Sequence, residues 1–330
     1  MENFGRKKFP LIFAVTAAGC AAAAVLSLCL GAANLSWSDI LNGTDTVSGR
    51  IFFLVRIPRT AACLLAGAGL AVSGALIQGV LANSLASPGI IGVNAGAGLG
   101  VTLCCALGAI SGWAVAGSAF AGALFAVLTV AIAARKTAAS RSAVILGGVA
   151  VNSFLAAISE AITTLFPDVA SLSADFRTGG FSGVSPARLV PAGIMIAAAL
   201  AVSLSLSNEL DLLSMGEDTA QGLGLPVKKV RTVFLVLAAV LAGASVSFAG
   251  LLGFVGLIVP NMAKHIVGGE SKRHLPLCAA GGAAFVTLCD CMARVMFAPF
   301  EIPAGIVMSA VGAPFFIFLL FRRKGGHSRG

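Results

Sequence analysis

The sequence predicts an all-α polytopic membrane protein, and three observations carry that prediction. Of 330 residues, 58% are hydrophobic and 11% charged, with a mean hydropathy of +0.99. An ordinary soluble domain carries about 25% charged residues, so this chain has too few to cover a water-facing surface. Apolar runs of about 20 residues, the length that crosses a hydrocarbon core, recur along it. Forty glycines and abundant alanine suit membrane helices whose backbones approach closely.

Hydropathy places about ten crossings, near residues 10–32, 59–82, 90–110, 113–134, 142–166, 188–206, 231–250, 252–267, 275–297 and 303–321. The first follows Arg6-Lys7-Lys8, as a signal peptide would. Its apolar run from Leu11 to Ala33 has the length of a span. Ala17-Ala18-Gly19-Cys20 also lacks the large aliphatic residue of a lipoprotein cleavage site, so the segment reads as an uncleaved helix. The third holds GVNAGAGLG (92–100), which does not match GxGxxG and reads as a helix-packing stripe. The eighth is short, and Pro260 and Asn261 within it predict a broken or re-entrant helix. In the ninth, Asp290 and Arg294 are spaced i, i+4 and can bond each other on one helical face. At this point a structural ion pair and an outward-facing docking charge are both open readings of them. Glu160 lies in the outer half of the fifth. The cysteines Cys20, Cys29, Cys63, Cys104, Cys105, Cys278, Cys289 and Cys291 all sit in apolar runs without zinc-finger spacing. They read as small buried hydrophobes, and no metal site is expected.

The net charge is +9, but the basic residues form short clusters between spans rather than a face that could follow a phosphate backbone. Their placement sets orientation by the positive-inside rule. With the N-terminus in the cytoplasm, the inside segments hold Arg6-Lys7-Lys8, Arg135-Lys136 with Arg141, Lys228-Lys229 with Arg231, Lys264 with Lys272-Arg273, and Arg322-Arg323-Lys324 with Arg329. The outside holds Arg50, Arg56, Arg59, Arg177, Arg188 and Arg294. Both termini are then cytoplasmic. The larger outer loops, 33–58 and 167–187, are too small for a ligand-capturing domain. The whole chain, 1–330, reads as one transmembrane domain, with a cytoplasmic polar segment at about 208–230.

Catalytic signatures are absent: there is no GxxxxGK[ST] phosphate loop, no HExxH and no GxSxG elbow. His265, His274 and His327 make no ligand spacing. The chain is therefore not expected to be an enzyme.

Residues 56–93, RIPRTAACLLAGAGLAVSGALIQGVLANSLASPGIIGV, resemble the signature of the FecCD-type permeases, the membrane subunits of ABC importers for iron-siderophores, haem and cobalamin. The family shows R-x-P-R, then G-x-x-L-x-x-S-G-x-x-x-Q, then N-P-L-A-x-P-x-x-x-G. Residues 250–273, GLLGFVGLIVPNMAKHIVGGESKR, are similar to its G-x-I-x-F-V-G-L-x-x-P-H-x-x-R element. CDCMARVMFAPFEIPAGIVMSAVGAPFFIFLL (289–320) matches its D-x-x-x-R, E-L-P-x-G and G-x-P-x-F elements. Ser84 stands where the pattern has Pro, and Asn261 and Lys264 where it has His and Arg.

The resemblance implies the type II ABC importer permease architecture: a homodimer of ten-helix subunits in the bacterial inner membrane, with the translocation path on the dimer axis. It also implies two copies of a separate ATPase on the cytoplasmic side and a substrate-binding protein on the outer side. ATP and Mg are used by the partner ATPase, and this chain binds no cofactor itself. Arg56, Arg59 and Arg294 correspond to binding-protein docking positions; interfacial anchoring is the plainer reading of the first two. Asn83 and Leu85 match the turn near the cytoplasmic gate, and Ser140 falls in the other gate element; helix capping is the plainer reading of such short polar residues. Gly216, Glu217, Asp218, Ala220, Leu223 and Gly224 fall in the family's ATPase-coupling element. There Ser214 and Glu217 suggest a capping box for a short helix, ended by Gly222 or Gly224 and Pro226. Ferric siderophore is the expected cargo, with haem and cobalamin next. The alternatives are an ion-gradient-driven secondary transporter, against which the scarcity of mid-membrane carboxylates argues, and an integral-membrane enzyme, for which no catalytic constellation exists.

Overall fold

The computed structural model describes residues 2–31, 40, 43–136 and 141–324, and every element among them is helical. Helix α1 is Glu2–Cys29. A single turn, α2 (Val47–Arg50), runs through a π-helical stretch (Ile51–Arg56) into α3 (Ile57–Leu81). There follow α4 (Val93–Ala106), α5 (Gly112–Lys136), α6 (Arg141–Leu165), α7 (Pro167–Thr178) and α8 (Pro186–Ser205). Two short helices, α9 (Ser207–Ser214) and α10 (Glu217–Gly222), lead to α11 (Val227–Ala249), α12 (Val255–Val267), α13 (Ser271–Val295) and α14 (Ala304–Lys324).

Among the described residues seven helices are long and apolar enough to cross a membrane, and three shorter apolar helices accompany them. An apolar helix occupies each segment that hydropathy singled out. The structure adds helix where the sequence suggested only outer loops. The second crossing starts back at Val47, and α7 fills more than half of the 167–187 segment.

Helix α3 is the centre of the molecule and packs against α8, α11, α12 and α13. It does so backbone to backbone. A Cβ on Gly67 would land on the Gly282 carbonyl of α13, and one on Gly282 would land on the Gly67 carbonyl; Gly74 meets Gly256 of α12 in the same way. The glycines of residues 92–100 do likewise for the α4–α5 pair, with Gly96 against Gly122 and Gly100 against Ser118. Without a hydrophobic drive between helices in lipid, such close approach supplies the attraction through van der Waals contact.

Helix α12 has 13 residues. At 1.5 Å per residue it rises about 20 Å, short of the roughly 30 Å hydrocarbon core. The five residues before it are not helical, and Gly250 and Phe254 have φ of +69° and +64°. Their backbone is satisfied inside the protein: Leu251 N donates to Phe176 O at 2.9 Å, and Gly180 N donates to Ala249 O at 2.8 Å. Irregular backbone at membrane depth survives under that condition. The break expected at Pro260 and Asn261 is thus found before the helix instead: α12 runs unbroken through both residues, and Gln78 serves the carbonyl that Pro260 leaves without a donor.

Candidate functional site

Three groups of residues stand out: a charge cluster, a loop at the end of α3, and the α9–α10 segment.

The charge cluster gathers Arg56, Arg59, Asp290, Arg294 and Glu301. Asp290 is fully buried and accepts from Arg59 Nε and Nη2, at 3.1 and 2.9 Å to Oδ1. Its Oδ2 lies 3.1 Å from Arg294 Nε, so the i, i+4 pair read from the sequence is present. Arg59 Nη1 donates to Glu301 Oε2 at 2.7 Å. The arginines also close the end of α1. Arg56 Nη1 donates to the carbonyls of Leu28 and Cys29 at 2.8 and 2.7 Å. Arg294 donates to the Ser27 and Leu30 carbonyls at 3.1 and 3.0 Å and to Ser27 Oγ at 2.8 Å. Cations at a helix C-terminus satisfy its orphan carbonyls and oppose its dipole.

Arg56, Arg59 and Arg294 are only 4%, 6% and 3% exposed. A position at a span end suggests an open, outward-facing fork, but here all three are engaged within the chain. Buried charge persists only when it is paired and hydrogen-bonded: Asp290 pairs with Arg59 and Arg294, Glu301 pairs with Arg59, and Arg56 bonds the Leu28 and Cys29 carbonyls. The Arg59–Asp290 bridge joins residues 231 apart in sequence, a distance that no local pattern spans. Glu301 stands in the EIPAG element, so its presence was visible but its partner was not. Glu160 pairs with Arg177 at 3.2 Å, exposed, between α6 and α7.

Helix α3 ends at Ala82 with φ +45°. Asn83 Oδ1 then accepts from Leu85 N at 2.9 Å, which folds the loop into an Asx turn. Asn261 Nδ2 of α12 donates to the Ser84 carbonyl at 2.8 Å and to Leu257 O at 2.7 Å. Two departures from the family pattern therefore meet. A polar cavity of about 220 Å³ opens beside them, lined by Gln78, Asn83, Ser84, Lys264, Ser271 and His274 among others. Lys264, the third departure, faces the same space. Ser140 lies outside the described residues.

The polar segment folds as α9 and α10, and its start corrects one expectation. Ser214 does not cap α10: its Oγ donates back to Asp211 O at 2.8 Å, and the cap position is Gly216 at φ +128°. Glu217 does not reach back in a capping box either; it pairs with Arg231 of α11. The physical reason is that Arg231, buried at the start of α11, draws the Glu217 carboxylate, which leaves α10 without a side-chain cap. The end of α10 is a Schellman stop. Leu225 N donates to Ala220 O and Gly224 N to Gln221 O, with Gly224 at φ +82°. Ala220 is buried and anchors α10 to the body, while Asp218, Gln221, Gly222 and Gly224 are exposed. Met215 and Leu223 are 69% and 62% exposed, two large apolar side chains flanking a short helix on a polar face.

Residues 19–322 match the FecCD transport family. The chain belongs to the FecCD transport family. It is 36% identical over 313 residues to the iron(3+)-hydroxamate import system permease protein FhuB of Bacillus subtilis, covering 92% of this chain and 81% of that one. It is 38% identical over 314 residues to the vitamin B12 import system permease protein BtuC of Citrobacter koseri, covering 92% and 91%. Its structure superposes with a TM-score of 0.86 on a metal-chelate type ABC transporter in an inward-facing conformation, at 29% identity over 95% of this chain and 99% of that one.

The FecCD signature S-G-x-x-x-Q acquires a physical meaning here. Pro260 has no N–H, so the Gly256 carbonyl four residues back loses its helical donor. Gln78 Nε2 supplies one at 3.2 Å. Gly74, one turn earlier on the same face, lets α3 come close enough for that bond. Ser73 Oγ donates to Ala238 O at 2.7 Å and ties α3 to α11 on the other side.

Proposed function

We propose that this chain is the membrane-spanning permease subunit of a binding-protein-dependent ABC importer that carries a metal chelate into the cytoplasm by ATP-driven alternating access. The observation that carries this reading is the family match, which runs over residues 19–322 rather than over one motif. The relatives are permease proteins named for iron hydroxamates, vitamin B12 and hemin. What these cargoes share is a bulky chelate around a metal. Ferric siderophore is the first choice for this chain, with haem and cobalamin next.

In this reading ten helices span the bacterial inner membrane with both termini in the cytoplasm. Two copies of the chain enclose the path. Two separate ATPase subunits sit beneath, and ATP with Mg acts there. The α9–α10 segment is the coupling element: Gly216, Glu217, Asp218, Ala220, Leu223 and Gly224 shape it, and the exposed Met215 and Leu223 offer an ATPase cleft apolar contact. Asn83 and Leu85, with Ser140, form the cytoplasmic gate.

Docking of the binding protein is assigned to the Arg56, Arg59 and Arg294 cluster. Since all three guanidiniums are already engaged, a partner carboxylate gains access at Arg59 by exchanging with Glu301, whose side chain is 34% exposed against 0% for Asp290. Charge-assisted exchange of this kind steers association without new buried charge. No observation favours a proton-coupled carrier. Asp290, an acid within a span, is engaged by two arginines, Arg59 and Arg294, at 2.9 and 3.1 Å.

The deciding experiment is reconstitution in liposomes with the ATPase and binding protein of the same system. ATP-dependent chelate uptake that survives ionophores is expected; uptake driven by an ion gradient without ATP would overturn the reading.

A further inference from the structure

A line of hydrogen bonds joins the α9–α10 segment to the loop at the end of α3. It begins at Asp211 of α9, whose Oδ1 accepts from Ser271 N at 2.9 Å and Ser271 Oγ at 2.5 Å. Asp211 thereby caps α13 from a different helix, meeting one of the orphan donors in its first turn. One turn along α13, His274 Nε2 donates to the Pro260 carbonyl of α12 at 2.9 Å. The acceptor is a carbonyl, so that nitrogen carries the proton. The next residue, Asn261, donates onward to the Ser84 carbonyl. Asn83 closes the line by accepting from Leu85 N.

We propose that Asp211, His274 and Asn261 are positioning residues that convey displacement of the coupling segment to the cytoplasmic gate. The proposal rests on the reading of those two segments given above.

Three features make the line a transmitter rather than a set of local ties. Each link before the closing turn at Asn83 runs from a side chain on one element to the backbone, or the first turn, of the next. Displacing one element therefore pulls on the next element's main chain. Ser271, His274 and Asn261 are 4%, 7% and 5% exposed. A buried donor or acceptor that loses its partner carries its full desolvation penalty, so the bonds move together more readily than they break. Finally, the line has somewhere to go. The cavity of about 220 Å³ lies alongside it, and α12 lacks an internal hydrogen bond where Pro260 interrupts its ladder.

A competing route is apolar: Leu210 of α9 packs directly over Gly79 near the end of α3. The two routes separate by experiment. The importer is reconstituted with its ATPase and binding protein, and the wild type must first show ATP-driven uptake. D211N, H274F and N261L keep side-chain size while weakening or removing one link each. Uptake per ATP hydrolysed is expected to fall about tenfold in each, within the range by which single residues alter coupling between sites. ATP hydrolysis itself is expected to stay within about twofold. The double variant D211N/N261L should be no worse than the poorer single variant, because the links act in series. N261H, which restores a donor, should recover coupling.

A second readout does not depend on uptake. A cysteine at Leu85 is labelled by a membrane-impermeant thiol reagent from the ATPase side, with and without vanadate trapping, and the modified residue is mapped by mass spectrometry. Trapping should alter labelling in the L85C chain and not in L85C/N261L. Unchanged uptake per ATP in all three variants, or an unchanged labelling response in L85C/N261L, would assign transmission to the Leu210–Gly79 contact and overturn the relay. A wild type without ATP-driven uptake would overturn the importer reading and the relay with it.

Discussion

Replacing Asp290 by alanine would leave Arg59 and Arg294 buried without their shared carboxylate. Breaking a buried pair from one side costs about 3–5 kcal/mol, because the orphaned cations keep their desolvation penalty. We expect D290A to lower the thermal unfolding midpoint in detergent markedly and D290N to do so less; equal midpoints for wild type and D290A would contradict the cluster's structural weight. Glu301 predicts the opposite kind of result. Removing its charge leaves Arg59 anchored to Asp290 but frees Nη1 for an incoming acid. E301Q should therefore strengthen binding-protein association by about threefold at low salt, with a steeper salt dependence. Weakened association would show that Glu301 itself makes the contact. At this scale the sequence was legible wherever partners are neighbours. Asp290 and Arg294 announce themselves by spacing, whereas Arg59 and Asp290 meet only because α3 and α13 pack. Gln78 is intermediate. Pro260 guaranteed an orphan carbonyl at Gly256, so a donor was required, but only the fold shows which residue provides it.

Among the elements, α10 offers a test that separates shape from function. A side chain at Gly222 would meet nothing within the chain, while Gly224 holds a left-handed conformation that larger residues resist. G222W should therefore leave the detergent melting midpoint near that of wild type yet abolish ATP-driven uptake by obstructing the ATPase cleft. G224V should lower the midpoint as well. If G222W transports normally, α10 is a plain surface loop. The sequence located this element from its acidic turn and its glycine stop, and the Schellman end follows that pattern. It misplaced the start, because Glu217 looks like a capping residue until the buried Arg231, 14 positions later, is seen to claim it. Helix α12 was legible as a short element, but Pro260 misplaced its irregularity: the helix runs on through Pro260, and the non-helical stretch is 250–254, ahead of it. The turn at Asn83 and Leu85 was legible too, because Asn83 Oδ1 bonds the amide only two residues on; the π-helical entry to α3 (Ile51–Arg56) was not, since no spacing in the sequence marks it.

For the whole permease, the principal expectation concerns assembly. Native mass spectrometry of the purified complex should give two copies of this chain with two ATPase subunits; a single copy would remove the two-chain path. The architecture was the most legible level of all, because lipid leaves a chain few options. Backbone polar groups must be satisfied internally, so apolar runs become helices almost irrespective of detail. Glycine content foretold close packing, and the structure adds which pairs touch, Gly67 with Gly282 and Gly74 with Gly256.

The arginines that close α1 have one more effect. The ties from Arg56 and Arg294 fall on Ser27, Leu28, Cys29 and Leu30, at one end of a 28-residue rod. The hold is uneven, for the rest of α1 lies on α13, and Phe9 and Ile12 near its other end meet the core through apolar contact. A bilayer of different thickness would then act first on that apolar end, while the pinned end and α3, gripped along its length by glycine contacts, keep their bearing. Lipid composition would adjust the lean of one peripheral helix and leave the centre of the permease undisturbed.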